Sequence, residues 1–131
     1  VEIEMGRKMW VLLSHQLLQE QIKSAKEELG CEEIIYFPEE LQKIWKNIPA
    51  EEEGYSEIEK FQQFILKKIL KGEIICIQGE WGYTHNIVNF CKEIGIIPVY
   101  ATTKRVCKEI KNDEGSVIKI SKFKHVKFKK Y

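Results

Sequence analysis

The sequence predicts an α/β fold: an open, mainly parallel sheet flanked by helices and ending in a β-hairpin. Three observations predict it. The runs Met9 to Leu13, Ile74 to Ile77 and Ile96 to Tyr100 are apolar without alternation, as strands buried on both faces are. Between them lie stretches with apolar residues at helical spacing, long enough to serve as crossovers. Each run also ends in small, hydroxyl-bearing or glycine residues, and the ligand crevice of an open parallel sheet lies beyond the carboxyl ends of its strands.

Taken in order, Val1 to Glu4 precede Met5 and are set aside as an appended remnant, which leaves residues 5–131 as one domain. A chain of 131 residues, 44% of them hydrophobic, has room for one core. After the first strand, Leu17, Leu18, Ile22, Ala25 and Leu29 mark an amphipathic helix that Gly30 stops. Glu33 to Phe37 reads as a second strand. Pro38 then suits the first turn of a helix bearing Leu41, Ile44 and Trp45, with Glu39 and Glu40 at its positive end. Asn47 to Ser56 holds Pro49, Gly54 and an acidic run, and reads as a surface loop that either flanks the crevice or merely connects.

Ile58, Phe61, Phe64, Ile65, Ile69 and Leu70 define the next helix, closed by Gly72 ahead of a strand at Glu73 to Ile77. Gly82 to Ile94 is a further helix, stopped by Gly95. Beyond Thr103, residues Arg105 to Lys111 and Ser116 to Phe123 alternate about the turn signal Asn112-Asp113-Glu114-Gly115 and predict the hairpin. A short helix over Lys104 to Ile110 is the alternative.

The net charge of +1 conceals an uneven distribution: glutamates cluster centrally, while Lys119, Lys122, Lys124, Lys127, Lys129 and Lys130 crowd the end. Such a tail either attracts phosphates or guards an edge strand. Cys31, Cys76, Cys91 and Cys107 lack the spacing of a metal or redox motif, so reduced thiols and a cytoplasmic setting are expected, with Cys76 and Cys91 as small core residues. No apolar stretch reaches membrane-spanning length.

Three clusters carry candidate chemistry. Gln78-Gly79-Glu80-Trp81-Gly82-Tyr83-Thr84 joins a strand to a helix, where glycines let backbone amides approach a phosphate. It is neither a Walker loop nor a dinucleotide fingerprint, and a tight turn is the competing reading. Thr102-Thr103-Lys104-Arg105 offers two hydroxyls and two cations beyond a buried strand, as phosphodiester recognition needs, or else forms a capped turn. Ser14 and His15 end the first strand; Ser14 caps the following helix or positions a ligand, and His15 binds a base or phosphate, transfers a proton, or is a structural surface histidine. Glu80 either meets a ribose hydroxyl or stays solvated. A serine-nucleophile triad is not supported, since no Gly-x-Ser-x-Gly elbow exists.

Taken as an ordered set with Pro38 to Trp45 and the ending Phe123 to Phe128, these clusters give a chain that resembles a small stand-alone ring-nuclease family of type III CRISPR systems. That family's domain is related to the CRISPR-associated Rossmann fold, called CARF. The resemblance implies a CARF-like, Rossmann-like domain and a homodimer that holds a cyclic oligoadenylate, chiefly cyclic tetra-adenylate, across its two-fold axis. It further implies metal-independent attack of a ribose 2′-hydroxyl on the neighbouring phosphodiester, leaving a 2′,3′-cyclic phosphate and ending the antiviral signal. No cofactor, membrane or long nucleic acid is expected.

Placement at the strand ends assigns Lys104 as charge stabiliser and Thr103 and Ser14 as positioning hydroxyls. Gly79 and Gly82 become the phosphate cradle, and His15, Gln78, Glu80, Thr84, Thr102 and Arg105 the further ligand contacts. A binding protein that sequesters the ring intact is the rival reading. A lysine-rich strand with Phe123, Phe128 and Tyr131 as an RNA-binding edge is a third.

Overall fold

A computed structural model describes residues 6–131; the expected remnant, Val1 to Glu4, lies outside them. The elements are β1 (Arg7–Leu12), α1 (Gln19–Glu28), β2 (Cys31–Tyr36), α2 (Glu39–Lys46), α3 (Ile58–Lys68), β3 (Ile74–Ile77), α4 (Trp81–Glu93), β4 (Ile97–Lys111) and β5 (Val117–Lys130). They build an α/β fold with one mixed sheet in the order β2-β1-β3-β4-β5. The first four strands pair in parallel, and β5 runs antiparallel along the edge beside β4. No helix among the described residues is long and apolar enough to cross a membrane.

Alternation along the central strands divides the core into two layers. Trp10 and Leu12 of β1 and Ile75 and Ile77 of β3 face α2, α3 and α4, where Trp45, Phe61, Ile65, Tyr83 and Ile87 are buried against them. Met9, Val11, Ile74 and Cys76 face the other way and pack with Leu17, Ala25, Val99 and Phe128. Because both faces are covered, the strands carry unbroken apolar runs. Both expected core thiols, Cys76 and Cys91, are fully buried, and burial pushes each up to about 12.

Two expectations change in the structure. Ser14 does not cap α1, which begins at Gln19 with Leu18 in the capping position; the Leu18 amide donates instead to Gln21 Oε1 at 2.8 Å. A cap must adjoin the first turn, and Ser14 lies too far upstream. The second change concerns the end of β4. Rather than stopping near Tyr100, the strand runs on to Lys111, and no helix forms over Lys104 to Ile110.

Pairing with β3 ends at Val99, so the rest of β4 has β5 as its neighbour and leaves the body as a two-stranded ribbon. The turn at its tip is set by Asn112, whose Oδ1 accepts from the amides of Glu114 and Ser116, and by Gly115 at φ +82°. Where ribbon meets body, the register shifts by one residue between Thr102 and Thr103. The Thr102 hydroxyl bridges that irregularity by donating to Lys127 O at 2.8 Å.

Candidate functional site

The strand order puts a topological switch between β1 and β3: the chain leaves β1 toward α1 on one face and leaves β3 toward α4 on the other. A crevice at the carboxyl ends follows from that divergence. Gln78, the residue after β3, is fixed at its centre. Its amide donates to Leu12 O at 3.2 Å, its carbonyl accepts from Trp45 Nε1 at 3.0 Å, and its side-chain Oε1 accepts from Ala101 N at 3.1 Å. The side chain therefore ties β3 to β4 and leaves its NH2 group as a donor to a ligand.

Two cavities share Gln78. One, of about 300 Å³, is lined by His15, Leu18, Gln21, Gln78, Ala101, Thr103 and Phe123. It gathers the end of β1, the end of β3 and the root of the ribbon, so His15, Gln78 and Thr103, separated widely in sequence, meet in one place. The other, of about 380 Å³, is lined by Gln78, Gly79, Trp81, Thr84, His85, Val88 and Tyr131. Here the Thr84 hydroxyl is buried and has no hydrogen-bond partner among the described residues. Such an orphan is costly unless something completes it.

Neither cavity has an Asp or Glu side chain in its lining, although residues 1–101 carry 17 Asp and Glu against 11 Lys and Arg. Sites of this size suit one nucleotide unit each. Two aromatic side chains stand open beside them: Trp81, 89% exposed at the start of α4, and Phe123, 61% exposed on the ribbon. Sequence reasoning placed neither Trp81 nor His85 among the site residues. Trp81 lay within a loop already singled out, and an apolar ring between two glycines was the available signal.

The remaining predicted residues are elsewhere or otherwise engaged. Glu80 is the N-cap of α4, its carboxylate accepting from Gly82 N at 2.8 Å and Tyr83 N at 3.1 Å. Glu80 thus occupies the amides that a phosphate would need, and the glycine loop is a capped turn rather than an open cradle. Its glycines make room for aromatic rings: a side chain at Gly79 would strike the Trp45 indole, and one at Gly82 would strike Tyr55. Thr102 is spent on the register shift, and Arg105 donates to Ser121 Oγ across the ribbon at 2.9 and 3.1 Å. Ser14 is exposed and lines neither cavity.

Lys104 is the largest departure. Directly paired residues of an antiparallel ribbon share a face, and successive residues alternate. Thr103 pairs with His125 and Arg105 with Phe123 on the crevice side, whereas Lys104 pairs with Lys124 on the opposite face. No lysine or arginine lines either cavity. Among the described residues no group of three or more His, Cys, Asp or Glu gathers as a metal site requires.

The far end of the crevice is closed by the chain's last residue. Tyr131 donates from its hydroxyl to Ile77 O at 2.5 Å and from its amide to Pro98 O, and its ring stacks obliquely on Tyr100. Burial, with Cys76 and Tyr100 adding to it, pushes the Tyr131 hydroxyl up to about 12. On the outer flank Tyr83 donates to Glu52 at 3.3 Å. Hydrogen bonds from Ser56 hold the Glu52 carboxyl below its ordinary value, so the acidic loop is anchored to α4.

Residues 7–129 match the uncharacterized protein MJ1673 family. The chain belongs to that family. One member, uncharacterized protein MJ1673 of Methanocaldococcus jannaschii, is 41% identical over 125 residues, which cover 95% of this chain and 96% of the relative. The matched residues run from the start of β1 to one residue short of the end of β5, the ribbon included. No solved structure matches the chain.

Proposed function

We propose that the crevice binds a cyclic oligoadenylate, with cyclic tetra-adenylate as the expected ring, and opens it without a metal. The observation that carries this reading is the pair of cavities about Gln78, lined by no Asp or Glu, each of nucleotide size and flanked by the open rings of Trp81 and Phe123. A ring of four nucleotides exceeds what one chain offers, so two copies share it about a two-fold axis. The resemblance to ring nucleases of type III CRISPR systems supplies the reaction, and the setting is cytoplasmic.

In that reaction a ribose 2′-oxygen attacks the adjacent phosphorus, the P–O5′ bond breaks, and a 2′,3′-cyclic phosphate remains. His15 takes the 2′ proton, the departing 5′-oxygen takes a proton from solvent water, and Thr103 and the Gln78 amide hold the phosphodiester in line. One observation favours the rival reading of an intact-ring sink: no cation lines the cavities to stabilise developing charge. Incubation with excess cyclic tetra-adenylate in EDTA, with products resolved by liquid chromatography and mass spectrometry, separates the two. Linear products bearing cyclic phosphate over many turnovers support the nuclease. A stoichiometric complex with the ring recovered whole makes the protein a sink, and no complex at all overturns both.

A further inference from the structure

The ribbon is the part of the molecule that the crevice does not account for. Every residue from 103 to 124 is exposed, and the strands extend about 30 Å beyond the bulge at ~3.4 Å per residue. Two-stranded ribbons are marginal in water unless something packs on them. Register divides this one sharply. The face away from the crevice carries Val106, Ile110, Ile118 and Ile120 together with Lys104, Lys108, Lys122 and Lys124, and no acid at all.

A surface that fits this face must be apolar and acidic. A nucleic acid meets the lysines but leaves four aliphatic side chains without a counterpart. The protein's own body supplies both properties. Residues 102–131 hold ten Lys and Arg against three Asp and Glu, while the rest of the chain holds the excess of acids. Between α2 and the acidic loop lies a groove of about 450 Å³ lined by Ile44, Ile48 and Pro49 and by three acids against one lysine, Lys43. Glu52 is held by Ser56 and Tyr83 and Glu57 by Lys60, which leaves Glu51 as the acid of the groove with no partner of its own among the described residues.

We infer that the outer face of the ribbon docks in the α2 groove of a second copy of this chain, and that the two copies exchange ribbons reciprocally. Area argues for exchange in both directions. A face about 30 Å long and about 10 Å wide buries roughly 300 Å² on each partner, or roughly 600 Å² in total, half of what a stable interface needs. Two such contacts related by a two-fold axis reach that size and leave no open end for further association. The inference stands on the ribbon and the groove alone, whatever the crevice binds.

The test is sedimentation velocity of the full chain from about 1 to about 100 µM, where a dimer of twice the 15.5 kDa chain mass is expected. Ile120→Asp, on the exposed face, weakens the dimer about tenfold or more while circular dichroism stays unchanged. Charge reversal gives the sharper result. Lys108→Glu and Glu51→Lys each weaken self-association, yet an equimolar mixture of the two proteins dimerises, because both ribbon–groove contacts of the mixed dimer then join opposite charges. A monomeric wild type overturns the inference, as does a dimer indifferent to Ile120→Asp. So does a mixture with no rescue, or a ribbon that acts only on added duplex nucleic acid.

Discussion

Replacing Gly79 by alanine decides whether the glycine loop is shaped for a ligand or for the core. Gly79 sits at an ordinary negative φ, so alanine brings no backbone strain. With empty space at the position it would stabilise the protein by ~0.4–1 kcal/mol through the unfolded chain. The space is not empty. The new methyl carbon would lie 2.7 Å from Trp45 Cε2 and 2.9 Å from Cζ2, and closer still to Nε1, against an indole that is 2% exposed. Trp45 must shift, and the shift breaks the bond from its Nε1 to Gln78 O. Overpacking costs ~1–3 kcal/mol and the lost hydrogen bond ~0.5–1.5 kcal/mol, which leaves a net loss of about 0.5–4 kcal/mol after the unfolded-state gain. Urea unfolding followed by circular dichroism measures it. Gly79→Ala in a Trp45→Phe background should cost much less, since the smaller ring leaves room for the methyl. A Gly79→Ala protein as stable as the wild type would refute the packing account and return Gly79 to the ligand.

Glu80→Ala should lower stability by ~1 kcal/mol without any ligand present, because two amides of the first turn of α4 lose their acceptor; unchanged apo stability would mean that the carboxylate serves a ligand instead. Of the four thiols, Cys107 alone is exposed, so a disulfide reagent at pH 8 should titrate one thiol quickly in the native protein and four in denaturant. Cys76 and Cys91 hold their protons up to about 12, against 9.0 for a free thiol, so the unfolded chain releases them first as pH rises. Stability is therefore fully present below pH 9.0 and declines between there and about 12, and a Cys76→Ala, Cys91→Ala variant should lose less over that window.

What the sequence revealed follows from what burial does to residue choice. Met9 to Leu12 of β1, β3 and the start of β4 are covered on both faces, so these positions carry apolar residues, and the strands were legible as unbroken runs. Past Ala101 the same strand leaves the core, polar residues return, and no burial remains to mark its continuation; pairing with β5 alone keeps it extended. The glycine loop misled for a related reason. A glycine between strand and helix makes room, but spacing along the chain does not say for what, and at Gly79 the occupant is an indole 34 residues earlier. That His15, Gln78 and Thr103 line one cavity follows in part from the convergence of strand ends in a parallel sheet, which brings His15 and Gln78 together; Thr103 joins them from within β4, where pairing with β3 has ended.

Lys104 shows the limit of reading a cluster as a unit. Thr103 and Lys104 are adjacent in sequence, and past a helix N-terminus or in a loop both would serve one ligand. Inside a ribbon they are separated by the full thickness of the strand: Thr103 lines the crevice and Lys104 belongs to the face with Val106 and Ile120. The two substitutions should therefore divide cleanly between two measurements. Thr103→Val removes a hydroxyl from the cavity wall and should weaken binding of the cyclic ring by about fivefold to tenfold, as loss of one hydrogen bond does, with sedimentation unchanged. Lys104→Ala should leave intrinsic ring affinity intact at protein concentrations well above dimer dissociation, and should shift the dimer equilibrium instead. The opposite pattern, Lys104→Ala abolishing ring binding in a protein that still sediments as a dimer, would put that cation back on the phosphodiester. It would then reach the ring only from the partner copy, because its own ribbon holds it on the far side of the strand.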